Sequence, residues 1–358
     1  MNVMNIVSDK AWGGIEQLVL DLSRALRADG FATGVITRNF PAVYEPFRAD
    51  NLLCAAMPLR GISAMLAPVR MASILNKLSG PVSILTYTFK DASIALQARR
   101  LSKNPGDIRV SAIIKESEPA KTSPSYVKMY AELDTIAFTS QDGLNKFLSS
   151  SPLIDRDRIH VVSPSSAMEP IQAKATDNEV AEIVYASRIV PENGLDTLIK
   201  ALGQVSRLHW HLTVCGTGIG RHVMPIVRSA RALGINDRIS WEGHVEDVKP
   251  FLEKADIAVV PSKNADSLGM AVLEAASQGC AIIAANTDIH RSLLADGETA
   301  LFTAPESPDS LAEALNRLIE NAELRKKIAS AAKSRFIGEH SFAHFYGSIL
   351  SLLRQRFG

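Results

Sequence analysis

Val259-Val260-Pro261-Ser262-Lys263-Asn264-Ala265-Asp266-Ser267-Leu268-Gly269-Met270-Ala271-Val272-Leu273-Glu274 reads as a buried strand, a polar loop and a helix that begins near Leu268. A short β-branched run followed by a helix is the unit of parallel sheets, because parallel neighbours need a crossover and the helix supplies it. The same alternation recurs outward from this stretch. In the C-terminal half it predicts strands at 183–186, 211–215, 238–241, 257–260 and 281–284. In the N-terminal half it predicts strands at 5–7, 34–37, 82–87, 109–114, 134–139 and 159–162, with helices over about 15–28, 62–78, 92–101 and 142–148. Between the halves, residues 163–179 turn to Ser, Pro, Ala and polar residues, the composition of a linker. The expected class is therefore α/β, with one helix-wrapped parallel sheet in each half.

The chain's 358 residues exceed what one hydrophobic core usually supports, and 46% hydrophobic content suffices for two. The expected domains are 1–165 and 180–340. A tail at 341–358 places Phe342, Phe345, Ile349, Leu352 and Leu353 on one helical face that must pack against something, and the first domain is the expected partner. Lys and Arg number 39 against 38 Asp and Glu, so a formal charge of +1 excludes a whole-molecule attraction to nucleic acid or to an anionic membrane. Cys54, Cys215 and Cys280 are few, odd in number and far apart, as reduced core residues of a cytoplasmic protein would be. Residues 1–7 lack the basic start and long apolar run of a signal peptide and read as a first strand. Nowhere do about eighteen apolar residues run together, the length a membrane-spanning helix needs.

Asp266 and Glu274 stand eight positions apart, the first just before the helix and the second about two turns into it. Gly269 would let a ligand approach the helix start, where free N–H groups and the helix dipole suit a diphosphate. A carboxylate further along can accept two hydrogen bonds from vicinal sugar hydroxyls. The pattern suits a ligand with an anionic and a polyol part. The bland alternative is two solvated acids at a helix start.

With these residues, the segment 187–342 resembles the nucleotide-sugar domain of the GT4 family (glycosyl transferases group 1), retaining glycosyltransferases. The resemblance implies the GT-B fold, two Rossmann-like domains with parallel sheets facing across a cleft. It places Asp266 by the donor sugar and Glu274 on the ribose, with Ser267, Leu268, Gly269 and Met270 at the diphosphate. The runs 274–284 and 296–302 match the family's order of helix, strand and turn. In Ala186-Ser187-Arg188-Ile189-Val190-Pro191-Glu192-Asn193-Gly194 the family carries an Arg and a Lys five apart on the diphosphate; here Arg188 is present and Asn193 replaces the Lys. Asp266 likewise stands where two glutamates are usual. By resemblance, Gly216 and Gly218 line the donor cleft, and Gly243-His244-Val245 meets the base through its backbone. Gly13 and Gly14, at the start of the first helix, approach acceptor and donor phosphate. The family's acceptor-side histidine has no counterpart, since Thr88, Phe89, Lys90, Lys115 and Glu116 occupy those stretches and no histidine precedes His160. Lys115 and Glu116 remain as acceptor-side candidates.

The implied activity is transfer of a sugar, with retention, from a UDP- or GDP-sugar to a glycan, lipid-linked or small-molecule acceptor in polysaccharide or glycoconjugate biosynthesis. It needs no metal or other cofactor, since Arg188 and the helix end take the leaving-group charge, and the expected location is the cytoplasm, at the inner face of the membrane in one variant. The other readings are a nucleotide-sugar-binding relative that does not transfer, or an epimerase on the same fold. The remaining features have plainer readings. Asp155-Arg156-Asp157 is a solvated turn, and the eight histidines are too scattered for a metal site. The glycine pairs 13–14 and 216–218 suit tight turns as well as ligand contact. Ile62, Met65, Leu66, Val69, Ile74, Leu75 and Leu78, with Arg60, Arg70 and Lys77, form a helix that either faces the core, the reading taken here, or touches lipid.

Overall fold

A computed structural model describes residues 1–115, 119–150, 154–172, 174, 180–205, 207–263 and 268–354. The chain divides into two compact units, one made of Met1–Ser163 with Phe345–Gly358 and the other of Pro164–His344. In the first unit the strands are β1 (Asn2–Val7), β2 (Ala32–Thr37), β3 (Leu53–Ala56), β4 (Val82–Thr86), β5 (Ile108–Ile114), β6 (Thr135–Phe138) and β7 (Ile159–Val161). They pair in parallel in the order β3-β2-β1-β4-β5-β6-β7. The second unit holds β8 (Ala181–Ala186), β9 (Trp210–Cys215), β10 (Ile239–Gly243), β11 (Ile257–Val260), β12 (Ala281–Ala285) and β13 (Leu301–Thr303), all parallel in the order β10-β9-β8-β11-β12-β13. The two Rossmann-like sheets implied by the sequence are thus present. In each, strand order reverses beside the first strand, opening a switch point between β1 and β4 and between β8 and β11.

The interior strands β1, β4 and β12 are buried along their whole length. That is why their sequences run apolar instead of alternating. The short edge strand β13 escaped the sequence reading, while at the edge of the other sheet the apolar run at Cys54 is β3, although its four residues are half-exposed or exposed.

The segment 62–78 departs from expectation more sharply. It is a 3₁₀ turn over Ile62–Leu66 followed by an α-helix over Ala67–Leu75, with Pro68 in the first turn of the helix. The change of helical period rotates the two pieces against each other, so one continuous stripe does not form. Ala67, Pro68, Met71, Ala72 and Leu75 face the core, whereas Ile62, Met65, Leu66 and Val69 are exposed. The core-facing reading of those four residues is therefore corrected.

At the other end of the chain, the helix Phe342–Arg354 buries Phe345, Ile349, Leu352 and Leu353. Its Tyr346 hydroxyl donates to Asp29 Oδ2 (2.6 Å) and to the Ala25 carbonyl (3.3 Å) in the first unit. Where the chain passes between units, His340 donates from Nδ1 to the Pro164 carbonyl at 3.2 Å, and Ser166 bridges to Ser341. All three cysteines are free.

Two buried carboxylates follow β1 and β4, and they are handled in opposite ways. Asp91 is fully enclosed but accepts from Ser8 Oγ (2.7 Å), Thr88 Oγ1 (2.8 Å) and the Arg60 guanidinium (2.7 Å). Glu16, 1% exposed in the helix Gly14–Ala28, has one carboxyl oxygen without a partner. Burial is the main reason that its pKa is pushed from 4.5 up to about 7, with Asp9 adding to the rise and Lys115 opposing it. A raised carboxyl pKa leaves stability intact below the unfolded value and removes it as pH climbs through the folded one. Glu16→Gln is therefore expected to become more stable than the parent as pH rises from 5 to 8, by about 3 kcal/mol at the top of the range. Urea unfolding at both pH values checks this, and a constant difference would contradict it.

Candidate functional site

The strand ends of the second unit bring four loops together. Beyond β8, the Ser187 N–H donates to the Cys215 carbonyl (3.0 Å) and the Ile189 N–H to the Thr217 carbonyl (2.8 Å), zipping the loop after β8 to the loop after β9. The Gly216 N–H donates to the Gly243 carbonyl (2.7 Å), which adds the loop after β10. On the other side, the Lys263 N–H donates to the Glu192 carbonyl (3.0 Å), joining the loop after β11. The glycines exist for this approach. A Cβ on Gly216 would lie 1.9 Å from the Ser187 carbonyl oxygen, one on Gly218 2.2 Å from that of Ile189, and one on Gly194 2.5 Å from that of Pro261. No side chain fits at those distances.

This row of backbone fixes Arg188. Buried Tyr185 donates its hydroxyl to the Arg188 carbonyl (3.2 Å), and the Asn193 amide donates to the same carbonyl (2.9 Å) and to Ser187 Oγ (2.7 Å). Arg188 itself is exposed, and among the described residues its guanidinium has no ion-pair partner. Asn193 is thus engaged in shaping the loop through neutral hydrogen bonds. His244 is exposed just past β10, with Val245 half-buried against the core.

The helix after β11 runs over Met270–Ser277, two residues later than its expected start at Leu268. Gly269 caps it with φ +64°, and a Cβ there would collide with Leu293. A left-handed residue cannot continue a helix toward its N-terminus, so Leu268 remains in a turn and Met270 begins the helix. Glu274 consequently lies little more than one turn from the helix start and is half-buried. Asp266 and Ser267 lie outside the described residues. Arg188, Asn193, Gly216, Gly218, His244 and Gly269 follow the ends of neighbouring strands at the carboxyl edge of one sheet, where open α/β sheets bind ligands.

The first unit repeats the arrangement. Gly13 precedes the helix Gly14–Ala28, and the Glu16 carboxyl folds back beneath it. Lys115, after β5, reaches Asp9 at 3.9 Å, while Glu116 is outside the described residues. Nearby, a cavity of about 360 Å³ is lined by Asp9, Arg60, Thr88, Lys90, Lys121 and Tyr126, backed by an aromatic wall of Phe89, Tyr130, Phe138 and Phe147. Sequence reasoning grouped Arg60 with the helix of 62–78 instead of with this cavity, and missed Lys121, whose only sequence signal is a lone basic residue in a loop, too common to single out. Among the described residues no three His, Cys, Asp or Glu side chains are grouped to share a metal ion.

Residues 168–335 match the family described as glycosyl transferases group 1. They are a glycosyl transferases group 1 domain. Along most of its length the chain is similar to a D-inositol 3-phosphate glycosyltransferase of Corynebacterium glutamicum, 24% identical over 89% of this chain and 86% of the relative. It also resembles the lipopolysaccharide core biosynthesis glycosyltransferase LpsE of Rhizobium meliloti, at 22% identity over 60% of this chain and 57% of that protein. Among solved structures, Anabaena Alr3699/HepE in complex with UDP and glucose has a TM-score of 0.79 at 16% identity, with 99% of each chain covered. These likenesses establish the GT-B fold for the group 1 domain and its partner unit.

The zipped loops make a direct demand on the sequence. Gly216→Ala is expected to cost at least about 2 kcal/mol of stability in the second unit. Gly220→Ala, at a helix start with no atom within 4 Å of the new carbon, is expected to be neutral or to stabilise by up to about 1 kcal/mol. Thermal unfolding of the two variants compares them, and equal midpoints would show that the close approach is not a constraint.

Proposed function

We propose that this chain transfers a sugar from a nucleotide-diphosphate sugar held by the second unit. The observation that carries the reading is the Arg188 guanidinium, without an ion-pair partner among the described residues and fixed through its own carbonyl by Tyr185 and Asn193 at the strand ends of the group 1 domain. An arginine keeps its charge at physiological pH and grips phosphate oxygens with parallel hydrogen bonds. The start of the helix Met270–Ser277 adds N–H groups for a second anionic oxygen, and Glu274 is the acceptor for ribose hydroxyls.

In this reading the bond from the anomeric carbon to the diphosphate breaks as the bond to the acceptor oxygen forms on the same face. The acceptor proton passes to the departing phosphate oxygen, so configuration is retained and no protein base is required. Arg188 and the helix end stabilise the leaving charge without a metal. UDP is the first nucleotide to test, being the one bound by HepE, and GDP the second. The acceptor is assigned to the first unit, where Lys90 and Lys121 beside an aromatic wall suit a phosphate-bearing polyol, the acceptor class named for the Corynebacterium relative. A glycan or lipid-linked acceptor in glycoconjugate assembly fits the same chemistry.

Asn193, which takes the place of a second phosphate cation and is spent on loop contacts, favours one other reading, a protein that binds the nucleotide sugar without transferring it. Calorimetry with UDP and GDP, followed by turnover of UDP- and GDP-hexoses, separates the two. Arg188→Ala is expected to weaken nucleotide-diphosphate binding by roughly tenfold or more, the worth of a charge-assisted pair. Absence of any nucleotide-diphosphate binding by the parent would refute both readings.

A further inference from the structure

Three side chains of the second unit form a hydrogen-bonded line across neighbouring strands. His211 of β9 stands between Glu182 of β8 and Ser240 of β10. Its Nδ1 lies 3.2 Å from Glu182 Oε2, and its Nε2 lies 3.1 Å from Ser240 Oγ. A carboxylate can only accept, so Nδ1 carries the proton. In the neutral ring Nε2 is then the acceptor, and the Ser240 hydroxyl donates to it. Each nitrogen thus has the partner that lets a carboxylate orient an imidazole and the imidazole take a proton from a hydroxyl. The register of the sheet produces the alignment. Glu182 lies opposite His211 and Thr213 opposite Ser240, and His211 and Thr213 are two residues apart on one strand, so all four rise from the same face. Glu182 and His211 sit near the amino ends of their strands, whereas Arg188 and the glycine loops follow the carboxyl ends.

Glu182, His211, Thr213 and Ser240 are all half-exposed, so a ligand can reach them. Beside them is a cavity of about 480 Å³ lined by Glu182, His211 and Thr213, with Ile183, Phe251 and Ala255 as its apolar side. Donors for a developing oxyanion are at hand. β10 is the edge strand of its sheet, so every second backbone N–H points away from β9. Its register with β9 also shifts between Trp241 and Gly243, leaving Glu242 outside the ladder. The Thr213 hydroxyl, in register with Ser240, is a side-chain donor on the same face. We infer that Ser240, His211 and Glu182 are a reactive centre of their own, which cleaves short-chain carboxylic esters through an acyl-serine. Ser240 Oγ bonds to the ester carbonyl carbon as its proton passes to His211 Nε2. The bond from that carbon to the alcohol oxygen breaks, and the alcohol leaves with the proton from Nε2. Water then adds to the acyl-serine, giving its proton to Nε2, and this proton returns to Ser240 Oγ as the carboxylic acid departs. Ester and water become alcohol and acid, without oxidant or metal. Glu182 holds the ring through Nδ1 throughout, and the apolar side of the cavity takes the acyl chain. This centre does not depend on the transferase reading.

Reaction of the purified full chain with a fluorophosphonate probe tests it, with the label located by peptide mass mapping, beside release of nitrophenol from p-nitrophenyl butyrate. The expected result is a label on Ser240 and ester cleavage above the rate in buffer. Ser240→Ala is expected to remove both. His211→Gln can still hydrogen-bond but cannot take up the proton, and it is expected to slow labelling and cleavage by about a hundredfold. Glu182→Gln should slow them by at least about tenfold, because the ring loses the charge that orients it. An unchanged circular dichroism spectrum and thermal midpoint will show that the variants fold. The position of the label in the parent protein decides the matter even where a variant does not. No label on Ser240 in the parent, or labelling and cleavage at the parent's rate in His211→Gln, overturns the inference.

Discussion

Backbone approaching backbone at the ends of β8, β9, β10 and β11 is the contact from which the site in the second unit follows. The Ser187 carbonyl occupies the space that a side chain at 216 would need, and Ile189 does the same to 218. With no Cβ in between, the loops exchange hydrogen bonds and need few side chains to hold them. The Arg188 side chain is then free for a ligand, because its main chain is already secured by Tyr185 and Asn193. A guanidinium carried on such a framework loses little freedom when it binds an anion, which is where preorganised sites gain affinity.

The first unit solves a different electrostatic problem at its own switch point. Asp91 remains beneath the surface because three donors compensate it, Arg60 among them. Glu16 has one carboxyl oxygen without such compensation, and burial raises its pKa to about 7. The same network that satisfies Asp91 draws Arg60 to the edge of the aromatic-walled cavity, so a stabilising ion pair also sets the polarity of that wall. Arg60 therefore belongs at once to the core chemistry of the unit and to the boundary of that cavity.

Much of the architecture was legible in the residues. Central strands announce themselves because burial on both faces demands continuous apolar runs, and β1, β4, β5, β8, β9, β11 and β12 were all found that way. The edge strand β13, three residues long, is too short to carry such a run and was missed. The eight-residue spacing of Asp266 and Glu274 and the order of Arg188 and the glycine loops were enough to point to the group 1 domain, with Asn193 in place of the usual Lys as a departure from it. The segment 62–78 misled because a periodicity count assumes one uninterrupted helix, and the 3₁₀ turn ahead of Pro68 breaks that assumption.

What the sequence by itself determined is what short-range chemistry controls: alternation of strand and helix, glycine where a Cβ has no room, and a cation placed just past a strand. Only the tertiary structure decided what depends on residues far apart in the chain. It set Asn193 to holding a loop, left one Glu16 oxygen without a donor, drew Arg60, Lys90 and Lys121 around one cavity, and turned Ile62, Met65, Leu66 and Val69 outward. The reason is physical. Burial, desolvation and ion pairing are properties of a neighbourhood, and a neighbourhood exists only once the sheets have formed and the loops have met.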